Sequence, residues 1–298
     1  MGRREAMRRI GAAGAVTLLG RPVFGAENRM RGKPDIVIIV ADDLGWNDVG
    51  YHGSEIKTPH IDRIAAEGVQ LDRFYACPIC SPTRAGLMTG RWPLRFGIMR
   101  AVIPPWRDYG LPPEEETLPE MLARAGYKRR GCFGKWHLGH SNRRFHPIDQ
   151  GFTHFYGCYN GAIDYFTHMR EGELDWHRQY APAREEGYST TLLAQEAAKF
   201  IADSPADPST GSGRTEPFFC YLPFNAPHTP LQAPPEYLQK YAHLKGQRQK
   251  FAAMVACMDD GIGRVLRALD EKGIADNTIV LFFSDNGGGP GASNTPLR

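Results

Sequence analysis

The run Asp35-Ile36-Val37-Ile38-Ile39-Val40 constrains the fold of this 298-residue chain more than any other stretch. Five consecutive β-branched residues leave no polar face. The strand they form must therefore be covered on both sides, as in a parallel sheet with helices above and below it. Phe218 to Leu222 and Thr278 to Phe283 have the same character, and Val69 to Tyr75 reads as a further strand. Between these runs lie helical patterns. One opens at Thr58-Pro59-His60 with a cap and runs through Ala66, with Gly68 just beyond. Thr117-Leu118-Pro119-Glu120 has capping-box spacing and starts a helix that stops at Gly126. Apolar periodicity marks Thr190 to Ile201, and a long helix runs from about Gln249 to Glu271 before Gly273. Strands alternating with helices give an α/β sandwich with a mostly parallel central sheet flanked by helices.

The apolar runs exit into polar residues, where open α/β sheets place ligands. The first strand ends in Ala41-Asp42-Asp43-Leu44-Gly45, and the last in Ser284-Asp285-Asn286-Gly287-Gly288. Adjacent carboxylates repel, and a hard cation is an economical way to hold both ionised; Asp-Asp alone favours a solvated turn. Cys132-Phe133-Gly134-Lys135-Trp136-His137-Leu138-Gly139 closes another strand, with glycines that permit close backbone approach around Lys135 and His137. Pro227 and Pro230 flank His228. Asp164-Tyr165-Phe166-Thr167-His168 suits a pocket wall or ordinary loop packing.

Cys77 to Arg91 holds the densest chemistry. In Cys80-Ser81-Pro82-Thr83-Arg84 the serine can cap a helix whose first position suits Pro82. That sets Cys80 just ahead of a helix N-terminus, where free N–H groups favour negative charge, with Arg84 one turn on and able to reach back. From the residues alone, Cys80 could equally be a small buried hydrophobe or half of a Cys77-x-x-Cys80 redox or metal pair, although no second such pair occurs.

The thirteen residues Pro78 to Gly90, PICSPTRAGLMTG, resemble the signature of the sulfatase family position for position, and GKWHLG from Gly134 resembles its second signature. The matched motifs run from Asp42 to Asn286. The resemblance implies the alkaline-phosphatase-like sulfatase fold and hydrolysis of sulfate esters. It implies that a formylglycine-generating maturation enzyme converts Cys80 to formylglycine before folding. It further implies one calcium ion held by Asp42, Asp43, Asp285 and Asn286 together with the modified Cys80. One hydroxyl of the aldehyde hydrate would attack sulfur; Lys135 and His228 would neutralise growing charge, and His228 would protonate the leaving alcohol. His137 would take the proton of the second hydroxyl as sulfate departs, and Arg84 would support the hydrate. The implied substrates are sulfated small molecules or sulfated glycans. Two alternatives stay open: a phosphonate or phosphodiester hydrolase of the same superfamily, and a truncated relative that only binds sulfated ligands. One departure is visible. Gly126-Tyr127 is followed by Lys128-Arg129-Arg130, one residue more than usual before GKWH, which is expected to bulge at the strand's start.

The net charge of +3 is misleading. Residues 1–26 carry Arg3, Arg4, Arg8, Arg9 and Arg21 against Glu5, so the rest is close to neutral and offers no basic surface for nucleic acid. Those residues resemble a twin-arginine export signal, with an apolar run from Ile10 to Leu19 too short to span a membrane and a cleavage region at Val23-Phe24-Gly25-Ala26. A bacterial periplasmic or extracellular protein is expected, with residues 27–298 as the catalytic domain. The irregular spacing of six cysteines does not suggest a disulfide framework, and Ser204 to Glu216 reads as an exposed insertion. Asn294 to Arg298 resembles a family segment that runs on to another sulfate-binding lysine and a smaller C-terminal sheet. On that resemblance the domain is incomplete, with an uncovered sheet edge and impaired activity.

Overall fold

A computed structural model describes residues 32–205 and 216–297. Residues 1–26, expected to be an export signal, and most of the expected insertion lie outside the described residues. In chain order the elements are β1 (Asp35–Ala41), α1 (Pro59–Glu67), α2 (Cys80–Thr89), α3 (Leu118–Arg124), β2 (Arg129–Lys135), β3 (His154–Cys158), β4 (Met169–Arg170), β5 (Glu173–Leu174), β6 (His177–Arg178), β7 (Ala181–Pro182), α4 (Ser189–Ala202), β8 (Phe218–Pro223), α5 (Pro235–Lys240), α6 (Gly246–Glu271) and β9 (Thr278–Ser284). Seven strands form one sheet in the order β7-β6-β3-β2-β8-β1-β9. The five from β3 to β9 run parallel, while β6 and β7 add antiparallel at one edge. β4 and β5 make a separate hairpin.

Period-two alternation divides β1 between two cores. Val37 and Ile39 join the cluster that contains α4 and α6 residues such as Leu193, Ala197, Met254 and Val265. Ile38 and Val40 join the opposite cluster with Ala85 and Met88 of α2 and Leu122 of α3. Both faces of the strand are thus dry, as its composition requires. β9 is the outer strand, and its Ile279 and Leu281 are exposed. All six cysteines are free. No helix among the described residues is long and apolar enough to cross a membrane.

Four local expectations are corrected. Val69 to Tyr75 is not a strand: it pairs with nothing, Val69 and Tyr75 are each 85% exposed, and only Phe74 finds a ring, that of Phe283. β-propensity without a neighbouring strand is not enough to order a ladder. Thr58 does not cap α1 with its side chain. Asp259 of α6 does so instead, accepting from the N–H groups of His60 and Ile61, while the Thr58 hydroxyl serves Gly50 and Asp62. Ser81 does not cap α2, which begins at Cys80 behind Ile79; its hydroxyl bridges the His137 carbonyl and the Ile103 N–H. The expected bulge is absent from β2, whose register with β8 is unbroken from Arg129 onward. The capping box at Thr117–Glu120 forms as read.

His146, buried beside the C-terminal end of β3, gives the fold a pH dependence. Its Nδ1 accepts from the Ile148 N–H at 3.1 Å, so Nε2 carries the proton and lies 2.8 Å from the Tyr159 hydroxyl. Burial holds this imidazole down at about 4, against about 6.5 in an unfolded chain. The unfolded state therefore binds the extra proton first. The stabilisation is complete above pH 6.5 and is lost as pH falls towards 4. The urea midpoint is expected to drop on acidification across that window, and to drop less in His146→Gln. Equal slopes in the two proteins would assign the effect elsewhere.

Candidate active site

The exits of β1, β2, β8 and β9 and the start of α2 bring the marked residues to one place. One ligand atom each from Asp42, Asp43, Cys80 and His228 lies within 4.8 Å of the others. Asp42 follows β1 and is fully buried. Its Oδ2 meets Lys135 Nζ at 2.5 Å, and its Oδ1 accepts from Cys80 Sγ at 3.4 Å and lies 3.7 Å from Arg84 Nη2. Asp43 turns outward with φ of 66°. Its Oδ2 lies 3.6 Å from His228 Nε2, and its Oδ1 accepts from the Asn286 amide.

Asp285, also fully buried, stands behind this group. Its Oδ2 accepts from Arg84 Nε and Nη2 at 3.0 and 2.8 Å, and its Oδ1 faces the Asp43 N–H at 3.4 Å. The third arm of Arg84 donates to the Lys135 carbonyl at 2.6 Å. Arg84 therefore reaches back as its spacing suggested, yet its hydrogen bonds go to protein groups. Burial, then the neighbouring Asp42, pushes the Asp285 carboxyl up to about 6 against the pull of Arg84. Burial also raises the Cys80 thiol far above its ordinary range, so the sulfur is held as a protonated thiol. Lys135 is wholly buried; desolvation is the largest influence and works against its charge, but the surrounding groups, Asp42 foremost with Cys80 and Asp285, together raise its pKa and keep the ammonium.

His137 sits at positive φ, its ring packed on Gly161, where a Cβ would fall 2.4 Å from Cε1. Gly134 is likewise required, since a Cβ there would meet the Pro223 carbonyl of β8 at 1.9 Å. Burial first, then Lys135 and Arg84, hold His137 neutral well below its ordinary value. Its Nδ1 is buried and has no hydrogen-bond partner. His228 Nδ1 lies 2.6 Å from the Thr229 carbonyl, which can only accept, so that nitrogen carries hydrogen.

The donor set fits a hard divalent cation. The Asp42 and Asp43 carboxylates share one cluster with Cys80 and His228, the Asp285 carboxylate lies against the Asp43 backbone, and Asn286 Oδ1 is a buried oxygen with no partner among the described residues. Sequence reasoning missed the supports. Tyr165, in the stretch considered for a pocket wall, sends its hydroxyl to the carbonyls of Asn225 and His228 and fixes the His228 turn. Asp164 instead caps its own turn and accepts from Gln232. Asp48 joins the two metal-type loops, accepting from the Ser293 N–H at 2.8 Å and from Arg248. A buried aspartate five residues after Asp43 was the available signal, but its partner lies 245 residues away.

The Sulfatase family model matches residues 34–298. Arylsulfatase J of Mus musculus is 39% identical over 277 residues, covering 89% of this chain and 45% of that protein. N-acetylgalactosamine-6-sulfatase of Homo sapiens is 35% identical over 291 residues, covering 89% of this chain and 53% of that protein. The chain thus spans about half the length of the curated relatives it matches. The crystal structure of Ps i-CgsB in complex with k-i-k-neocarrahexaose superposes with a TM-score of 0.81 at 34% identity, covering 90% of this chain and 62% of that one. With the family's model spanning nearly all of the described chain, and with carboxylates, cysteine and histidines gathered at one end of a mostly parallel sheet, this protein belongs to the sulfatase family.

Proposed function

We propose that this chain carries the catalytic centre of a sulfuric ester hydrolase acting on sulfated saccharides or small sulfate esters, with Cys80 converted to formylglycine. The observation that carries the reading is the convergence of Asp42, Asp43, Cys80 and His228 within 4.8 Å, backed by Lys135 and Arg84. Asp42, Asp43, Asp285 and Asn286, with residue 80, are the groups that would hold calcium. Bound there, calcium would supply Lewis-acid polarisation of a sulfate oxygen.

The chain's own residues divide the remaining work. As an aldehyde hydrate, residue 80 offers one hydroxyl to attack sulfur and a second whose loss of a proton re-forms the aldehyde and expels the sulfate carried on the first oxygen. Its thiol form is suited to neither role, being buried and protonated. Lys135 supplies fixed positive charge in a dry site, where it counts most. His137, neutral with a free Nδ1, can accept the proton of the second hydroxyl. His228 is partly exposed at the mouth, and a proton on its Nε2 is the one within reach of a leaving alcohol. The oligosaccharide bound by Ps i-CgsB and the sulfated sugar named for the human relative both support a saccharide substrate.

The test is co-expression with a formylglycine-generating enzyme, peptide mass analysis at Cys80, and turnover of an aryl sulfate beside its phosphate counterpart. An aldehyde at residue 80 and faster turnover of the sulfate are expected. A protein carrying the aldehyde that favours the phosphate ester would overturn the assignment. Bound calcium is expected at one ion per chain by elemental analysis, and is expected to be lost in the double variant Asp42→Ala/Asp43→Ala.

A further inference from the structure

We infer that Arg170 binds a second anionic substituent of the saccharide, next to the sulfate being cleaved; this rests on the proposed sulfatase reading and names the substrate class more narrowly. Arg170 ends β4 and enters a two-residue turn, Glu171-Gly172, in which both residues have positive φ. The base of this hairpin is tied to the catalytic wall. The Asp175 carboxylate, just after β5, accepts from the N–H groups of Tyr159 and Asn160 at 2.9 Å each. The Tyr159 carbonyl in turn accepts from the His137 N–H at 3.0 Å, and Gly161 packs on the His137 ring.

Within that setting Arg170 is under-used. Among the described residues its one ion pair is with Glu171, its sequence neighbour, at 3.2 Å and 62% exposed. Such a pair contributes little. Its Nε is buried and donates to nothing, and a buried donor without an acceptor carries its full desolvation cost. A native chain that keeps such a group has a use for it. The charge is also felt at the catalytic wall, since Arg170 is among the groups that hold His137 neutral, after burial, Lys135 and Arg84.

The position argues for a second anion and against the reacting sulfate. Lys135 and Arg84 are wholly buried and already bonded to Asp42 and Asp285. The Arg170 side chain, by contrast, is 32% exposed beside the hairpin turn, so a ligand arriving from solvent can reach it. A planar fork of donors suits a sulfate or a carboxylate. The shared ligand chemistry is an oxyanion on the same or the adjoining sugar, either a second sulfate or a uronate carboxylate.

The experiment is calorimetric binding to the 298-residue chain in calcium, with Cys80 left unmodified so that bound ester persists. The probes are galactose 6-sulfate, galactose 2,6-disulfate and a monosulfated disaccharide containing glucuronate. The parent is expected to prefer one of the two doubly anionic probes, and which one identifies the source of the second anion. In Arg170→Gln that preference, taken as a ratio of dissociation constants, is expected to fall by about 10- to 100-fold, the range of a charge-assisted hydrogen bond. Arg170→Lys is expected to retain part of it. A ratio unchanged within about twofold on substitution, or a parent without preference, overturns the assignment of Arg170 alone. A parent that binds none of the three probes overturns the sulfatase reading with it.

Discussion

Cys80→Ser is expected to lower sulfate-ester turnover by on the order of 10⁴-fold or more, the scale at which a covalent nucleophile fails. The fold should be nearly untouched. Cys80 is buried and its S–H donates to Asp42 Oδ1 at 3.4 Å, a contact that a serine hydroxyl can keep. What serine lacks is the second hydroxyl. After one attack on sulfur the sulfate would sit on an ordinary ester oxygen, and His137 would have no proton to take in expelling it. The variant should therefore release at most one equivalent of alcohol, gain the mass of one sulfo group at residue 80, and stop. Sustained turnover by Cys80→Ser would sink the proposed role of this residue. An unfolding free energy lowered by more than about 1 kcal/mol in urea titration would mean that the loss reflects unfolding.

Asp285→Ala should carry the largest cost in stability, about 3–5 kcal/mol, because it strips the partner from a buried charge. Arg84 is 1% exposed and places both Nε and Nη2 on Asp285 Oδ2. Without that carboxylate two guanidinium donors would face a cavity, and Asp42 at 3.7 Å would be their remaining anionic neighbour. The double variant Asp285→Ala/Arg84→Met removes charge and counter-charge together and is expected to recover much of the loss, since an apolar replacement of both partners avoids the stranded ion. Equilibrium urea unfolding of the four proteins measures this coupling directly. If Asp285→Ala lies within about 1 kcal/mol of the parent, Arg84 is stabilised by something other than this pair.

The parts of the molecule legible in the sequence are those whose signal is local. Five β-branched residues after Asp35 announce a strand dry on both faces, and β1 is one. Thr117 and Glu120 carry their capping box within four residues, and it forms. The parts that could not be read depend on distant chain. The cap of α1 comes from Asp259, 198 residues beyond Ile61. Ser81 looked like a cap because the residue type suits one, but its hydroxyl is claimed by His137 and Ile103. Val69 to Tyr75 has strand-forming residues and no neighbouring strand to pair with. At the site, the strand-exit residues could be named in advance, whereas the Arg84–Asp285 pair, the Tyr165 support and the Arg170 hairpin required the fold.

The sheet order has a consequence in time. Cys80 is 6% exposed, and the group around it is completed by Asp285 at the exit of β9, the strand latest in chain order among the described residues. On the proposed function, a maturation enzyme would reach the Cys80 side chain only while the chain is open. About 200 residues separate Cys80 from Ser284, and at roughly 5–20 residues per second their synthesis takes on the order of 10–40 s. Within that interval the cysteine has emerged but the strand that helps to enclose it does not yet exist. Slowing synthesis between α2 and β9 should raise the fraction of chains modified, whereas adding the enzyme to finished, folded protein should convert almost none.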